Sequence, residues 1–141
     1  MSWQSYIDNL KTPDQSGNVP VMEAAICGIA SGQESVWVST PGLAGITTEE
    51  IKKLAGDRST FRQAGPYVAG MKCMLLRDQM DVESVYTLDL KTSKINDQSY
   101  SICVGKSNQA IVIAQGTKDA NGGQLATKVY TVVDHLRKAG M

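Results

Sequence analysis

The sequence predicts an α+β fold: a single layered domain over 1–141 in the order helix, hairpin, helix, antiparallel meander, helix. Both ends of the chain show apolar residues at helical spacing, and the long middle reads as short strands broken by polar or Gly-containing turns. At 141 residues the chain is long enough to bury one core of ordinary size.

The first element runs from about 2 to 12. Ser2 is placed as its N-cap, and Pro13 prevents continuation. Trp3, Tyr6, Ile7 and Leu10 share one stripe, which has two readings: an anchor in the core, or an aromatic platform facing solvent. After the polar loop DQSGNVP, the runs MEAAICGIA and ESVWVST, separated by Ser31-Gly32-Gln33, read as a hairpin. Strict alternation in the second run puts Val36 and Val38 on one side and Trp37 on the other. TPGLAG breaks the pattern. Thr47 and Glu50 then form a capping box ahead of Ile51, Leu54 and Ala55, with Gly56 as the stop. Glu49 and Glu50 sit in that first turn, where carboxylates suit the helix dipole.

From Tyr67 onward the strands are YVAGMKCMLLRD, ESVYTLDLK, QSYSICVG and QAIVIAQ. The uninterrupted run Ile111-Val112-Ile113 predicts a sheet covered on both faces. The loop TKDANGG follows, with Asn121-Gly122-Gly123 read as a flexible connection. A helix from about 124 to 138 then buries Leu125, Val129, Val132, Val133 and Leu136 and stops at Gly140. His135 lies at the flank of this stripe, and Arg137 and Lys138 occupy the last turn.

Fourteen basic and fourteen acidic residues cancel, and no nucleic-acid partner is expected. The halves differ: residues 1 to 60 carry four basic and seven acidic side chains, residues 61 to 141 ten and seven, so an anionic partner should meet the C-terminal half. Cys27, Cys73 and Cys103 are odd in number and widely spaced, with no secretory signal ahead of them, which predicts a reducing, cytoplasmic setting. No apolar run approaches the roughly 20 residues of a membrane span. Paired ligand spacing for zinc is absent, so no metal or other cofactor is expected. A nucleophile pair would have to use His135, and no G-x-S-x-G elbow accompanies it; no enzyme activity is expected. The Gly-Gly turn lacks both phosphate-loop contexts.

SWQSYIDNL at the start, SVWVSTPG, DRSTF followed by AG, MKCMLLRD, the Gly-Gly turn and HLRKAG at the end stand in an order and spacing that resembles the profilin family, of the animal type, nearly end to end. The resemblance implies a central antiparallel sheet with the N- and C-terminal helices packed on one face and shorter helices on the other. It further implies a monomeric actin-binding protein of the cytoplasm and cytoskeleton that regulates actin polymerisation.

By resemblance, Trp3, Tyr6, Trp37 and His135 form a groove for proline-rich peptides, with Met141 at the position where many animal profilins hold a C-terminal Tyr. Met keeps apolar contact but loses a ring and a hydroxyl, and a weaker affinity is expected. Monomeric actin would be met by Lys72, Arg77, Lys91, Asn121, Gly123 and Lys128. Departures from the family pattern occur at Arg62, Val85, Asn121, Ala126 and Thr127, and Lys91 replaces the usual Arg. Phosphoinositides are the third implied partner, through Lys72, Lys91, Arg137 and Lys138. The alternative from another class is a small-ligand or dimerising sensor module with helices on an antiparallel sheet, which would need a buried pocket and no exposed Trp pair.

Overall fold

The computed structural model describes residues 3–141 except 16, 57–59, 62, 64, 81, 83, 84, 95 and 96. Ser2, placed above as a helix cap, and Arg62 fall outside the described residues. The elements are α1 (Trp3–Leu10), β1 (Val21–Gly28), β2 (Ser35–Ser39), a 3₁₀ turn at Pro41–Leu43, α2 (Thr48–Ala55), β3 (Tyr67–Val68), β4 (Met71–Gln79), β5 (Thr87–Thr92), β6 (Ser101–Lys106), β7 (Ala110–Gly116) and α3 (Gly122–Lys138). No helix among the described residues is long and apolar enough to cross a membrane.

All strand pairs are antiparallel, in the order β2-β1-β7-β6-β5-β4-β3. The meander from β3 to β7 is as expected, and the first hairpin is added beside the last strand. Alternation in β7 sorts its side chains between two cores: Ile111 and Ile113 face α2 and the 3₁₀ turn, while Ala110, Val112 and Ala114 face α1 and α3. Ala24, Ala110 and Ala114 keep the second face shallow, so that Leu125, Val129, Val132, Val133 and Leu136 of α3 lie directly on it. Ile7 and Leu10 anchor α1 in the same layer; each is fully buried, a stabilisation of about 2 kcal/mol apiece.

Three local expectations need correction. The run from Tyr67 to Asp78 is not one strand. It turns back at Ala69 and Gly70, both at positive φ (51° and 81°), giving the two-residue hairpin between β3 and β4. The Glu50 carboxylate holds this turn, accepting from the N–H groups of Ala69 (2.9 Å) and Gly70 (2.9 Å) as well as from Thr47 in its own capping box (3.0 Å).

The Asn121-Gly122-Gly123 segment is not a flexible loop. Asn121 is the N-cap of α3, bonded reciprocally with Gln124, and the two glycines are its first helical residues. Finally, Val36 and Val38 do not share a face. The β1–β2 register pairs Ile26 with Val38 but Cys27 with Val36, so Trp37 is the extra residue of a β-bulge. Val36 packs with the α2-side core, Val38 with the α1–α3 side.

Candidate functional site

The bulge at Trp37 is the local event that builds the first candidate site. It turns the indole onto the α1–α3 side, where its ring centroid lies 4.7 Å from that of Trp3. Trp3 in turn meets Tyr6 at 5.5 Å, and Tyr6 meets His135 of α3 at 5.7 Å. All three pairs are tilted by 42° to 58°, a packing that suits aromatic quadrupoles. The four rings form a continuous run from β2 across α1 to α3. Trp3 and Tyr6 are half-buried, while Trp37 and His135 are exposed. Both readings of the N-terminal stripe therefore hold, for different residues: Ile7 and Leu10 are anchors, and the aromatics are shared between anchor and platform. Ser5, Tyr6, Asn9, Thr131, Val132 and His135 line a cleft of about 190 Å³ where α1 and α3 diverge.

Met141 packs on the same apolar layer. Gly140, at φ 82°, ends α3 in a Schellman turn: the Met141 N–H donates to Leu136 O (2.8 Å) and the Gly140 N–H to Arg137 O (3.1 Å). The Met141 main-chain oxygen accepts from Ser107 Oγ (3.0 Å) and from the Gln109 N–H. The last residue is therefore pinned at both its N–H and its carbonyl.

A second candidate surface lies on the part of the sheet that α3 leaves uncovered. Lys72 and Arg77 on β4 and Lys91 on β5 are exposed, and Lys91 pairs across the ladder with Met74. Between the basic groups stand Met74, 61 % exposed, and Leu76, 52 % exposed. Arg77 Nε lies 3.8 Å from Asp89 Oδ2. Burial pushes the Asp89 carboxyl above its ordinary range, and the Arg77 guanidinium and the Cys103 thiol beside it only partly oppose this. Val85, Thr87, Ala126, Thr127, Tyr130 and Thr131 line a shallow concavity between β5 and α3. Asn121 and Gly123 open α3 nearby, and the Lys128 amine is tied to Thr12 Oγ1 (2.7 Å) and Pro13 O (3.4 Å).

The family model for profilin matches residues 1–141. This chain belongs to the profilin family. Profilin-2 of Rattus norvegicus is 34 % identical over 142 residues, covering 98 % of this chain and 97 % of that one; profilin-3 of Bos taurus is 35 % identical over 141 residues with the same coverage. Among solved structures, mouse profilin IIa in complex with a double repeat from the FH1 domain of mDia1 superposes with a TM-score of 0.88 at 33 % identity, each chain covered completely. Schizosaccharomyces pombe profilin, at 21 % identity and a TM-score of 0.70, shares the fold.

Within this profilin the basic residues singled out from sequence divide into two groups. Lys72 and Lys91 are diagonal neighbours across the β4–β5 ladder. Arg137 and Lys138 lie at the other end of β6, roughly 17 Å away at ordinary strand rise. Each nitrogen of the Arg137 guanidinium donates within the fold: Nε and Nη2 to Lys106 O (3.0 and 2.7 Å), Nη1 to Asn108 Oδ1 (3.3 Å), and its carbon stands 3.4 Å over the Tyr86 ring. Lys138 pairs with Asp134 at 3.0 Å. The structure therefore does not gather the four into one cluster. Sequence reasoning missed Met74 and Leu76, exposed apolar groups beside the basic residues, and Tyr130, exposed on α3 at the concavity. The available signal was in MKCMLLRD, where Met74 stands out of phase with the buried Cys73.

Proposed function

We propose that this profilin binds proline-rich peptides through Trp3, Tyr6, Trp37 and His135, with Met141 at the border, and binds monomeric actin through the uncovered sheet face, thereby regulating actin polymerisation in the cytoplasm. The observation that carries the first part is the unbroken aromatic run from Trp37 to His135. A polyproline II helix has no N–H to donate, so flat faces that pack on pyrrolidine rings, flanked by indole and phenol donors for its carbonyls, are the chemistry that recognises it. Such a surface binds and positions; it supplies no reacting group, and the protein acts as a binding partner rather than an enzyme.

Support for actin comes from the face itself. Lys72, Arg77 and Lys91 surround exposed Met74 and Leu76, an apolar centre with a cationic rim that matches an acidic protein surface. Asn121, Gly123 and Lys128 join this surface from the start of α3. Lys128 does so with its amine already hydrogen-bonded, so its role is to fix the α1–β1 loop at the rim. For phosphoinositides, Lys72 and Lys91 are the groups able to meet a headgroup, since neither makes an ion pair seen among the described residues.

The two surfaces lie apart, which gives a reciprocal test. Trp3→Ala should abolish retention on poly-proline beads and leave actin-monomer binding within about twofold. Lys91→Glu should weaken actin association and flatten its salt dependence, with bead retention intact. Loss of both activities in both variants would sink the two-surface reading.

A further inference from the structure

Trp37 reaches the groove by lying on the backbone of β1, and the geometry points to Gly28 as the positioning residue that lets it do so. The inference rests on the proline-peptide reading above. A Cβ added at Gly28 would stand 2.5 Å from Trp37 Nε1 and 2.6 Å from both Cε2 and Cζ2, closer than side-chain atoms approach one another. Gly28 is not required for its φ, because its backbone is outside the left-handed region. What the position lacks is room.

Neither partner can yield easily. Gly28 pairs with Ser35 of β2 on one side and Ala110 of β7 on the other, so two ladders hold its backbone. Trp37 is the bulged residue of β2, and its ring packs at a tilt against Trp3. An added methyl must therefore lift the indole by roughly 1 Å to restore ordinary carbon contact. That displacement alters the Trp3–Trp37 pair and shifts the whole indole, its N–H included, from its seat on β1. A site that reads a rigid polyproline helix tolerates such errors poorly.

The experiment uses the full chain and a synthetic peptide of about ten prolines, with affinity measured by calorimetry and the Trp3–Trp37 pair followed by near-ultraviolet circular dichroism. Gly28→Ala should bind about tenfold more weakly, the size of loss seen when a hot-spot contact is disturbed, with a changed dichroism signal and retained actin binding. Phe at position 37 puts one smaller ring in place of the fused indole whose Nε1, Cε2 and Cζ2 crowd Gly28, so in a Trp37→Phe background the same Gly28→Ala change should cost less than twofold. Should Gly28→Ala fail to fold alone, recovery of folding in the Gly28→Ala/Trp37→Phe pair supports the same steric cause. Unchanged affinity and dichroism in Gly28→Ala would overturn the inference, as would an equal loss in both backgrounds. If the parent does not bind the peptide at all, the groove reading fails, and the dichroism of Gly28→Ala still decides for or against Gly28 as the seat of Trp37.

Discussion

Replacing Arg137 should destabilise the fold without touching either proposed binding surface. Its guanidinium joins the last turn of α3 to the β6–β7 connection through two N–H donations to Lys106 O and one to Asn108 Oδ1, and it covers the ring of Tyr86. Tyr86 itself holds a φ of 53°, which side-chain-bearing residues rarely adopt, and its carbonyl accepts the Lys106 N–H at 2.9 Å. Hydrogen bonds from a charged donor to a part-buried carbonyl contribute about 2 kcal/mol net, and a cation over an aromatic face about 0.5–1 kcal/mol. The two bonds to Lys106 share one acceptor and count as less than two. Arg137→Ala should therefore cost about 3 kcal/mol, and Arg137→Lys, which keeps the charge but loses the fork, about half of that. At about 4 °C per kcal/mol for a chain of this size, the melting temperature should fall by roughly 12 °C and 6 °C. Urea unfolding followed by Trp fluorescence gives the free energies directly. A loss below about 0.5 kcal/mol in Arg137→Ala would refute the account. Binding of folded Arg137→Lys to phosphoinositide vesicles should equal that of the parent, because the guanidinium is already committed.

Two further outcomes follow from the same geometry. The folded-state pKa of Asp89 is raised above its ordinary 3.8 by burial, so the native state binds more protons than the unfolded chain in the window just above that value, and stability falls as pH rises through it. Asp89→Asn should accordingly be more stable than the parent at pH 7, with the advantage shrinking to nothing below about pH 3.8; parallel pH–stability curves for the two proteins would refute this. Met141→Tyr adds a ring and a hydroxyl at a residue whose N–H and carbonyl are already fixed, so little ordering is required, and a gain of about 1 kcal/mol, or roughly fivefold tighter proline-peptide binding, is expected by titration. Equal or weaker affinity would remove position 141 from the groove.

Local chemistry was legible wherever partners are close in sequence. The Thr47–Glu50 capping box lies within one turn, and the stripe of α3 needs only its own periodicity. The Trp37 bulge was not legible, because which residue is extra depends on pairing with Ile26 and Cys27 across the hairpin. Ala69 hid the β3–β4 turn, since a residue with a side chain gives no warning of positive φ. Arg137 read only as a last-turn cation and a phosphoinositide candidate for a similar reason: its acceptors, Lys106 and Asn108, and its ring, Tyr86, come from distant parts of the chain. The aromatic set was ambiguous from the α1 stripe alone; the profilin resemblance singled out Trp37 and His135, and tertiary contact then brought the four rings together.

The Glu50 carboxylate described at the β3–β4 turn has a dynamic consequence. One side chain is the acceptor for the amides of Thr47, Ala69 and Gly70, which belong to elements some twenty residues apart. β3 is only two residues long and has one neighbour, so its own ladder does little to keep it closed. It borrows its order from the first turn of a helix. Unwinding that turn swings the carboxylate away and releases the hairpin tip in the same event, so these three amides should exchange their protons with solvent at a shared opening rate. The edge of the sheet and the start of α2 thus breathe as one unit.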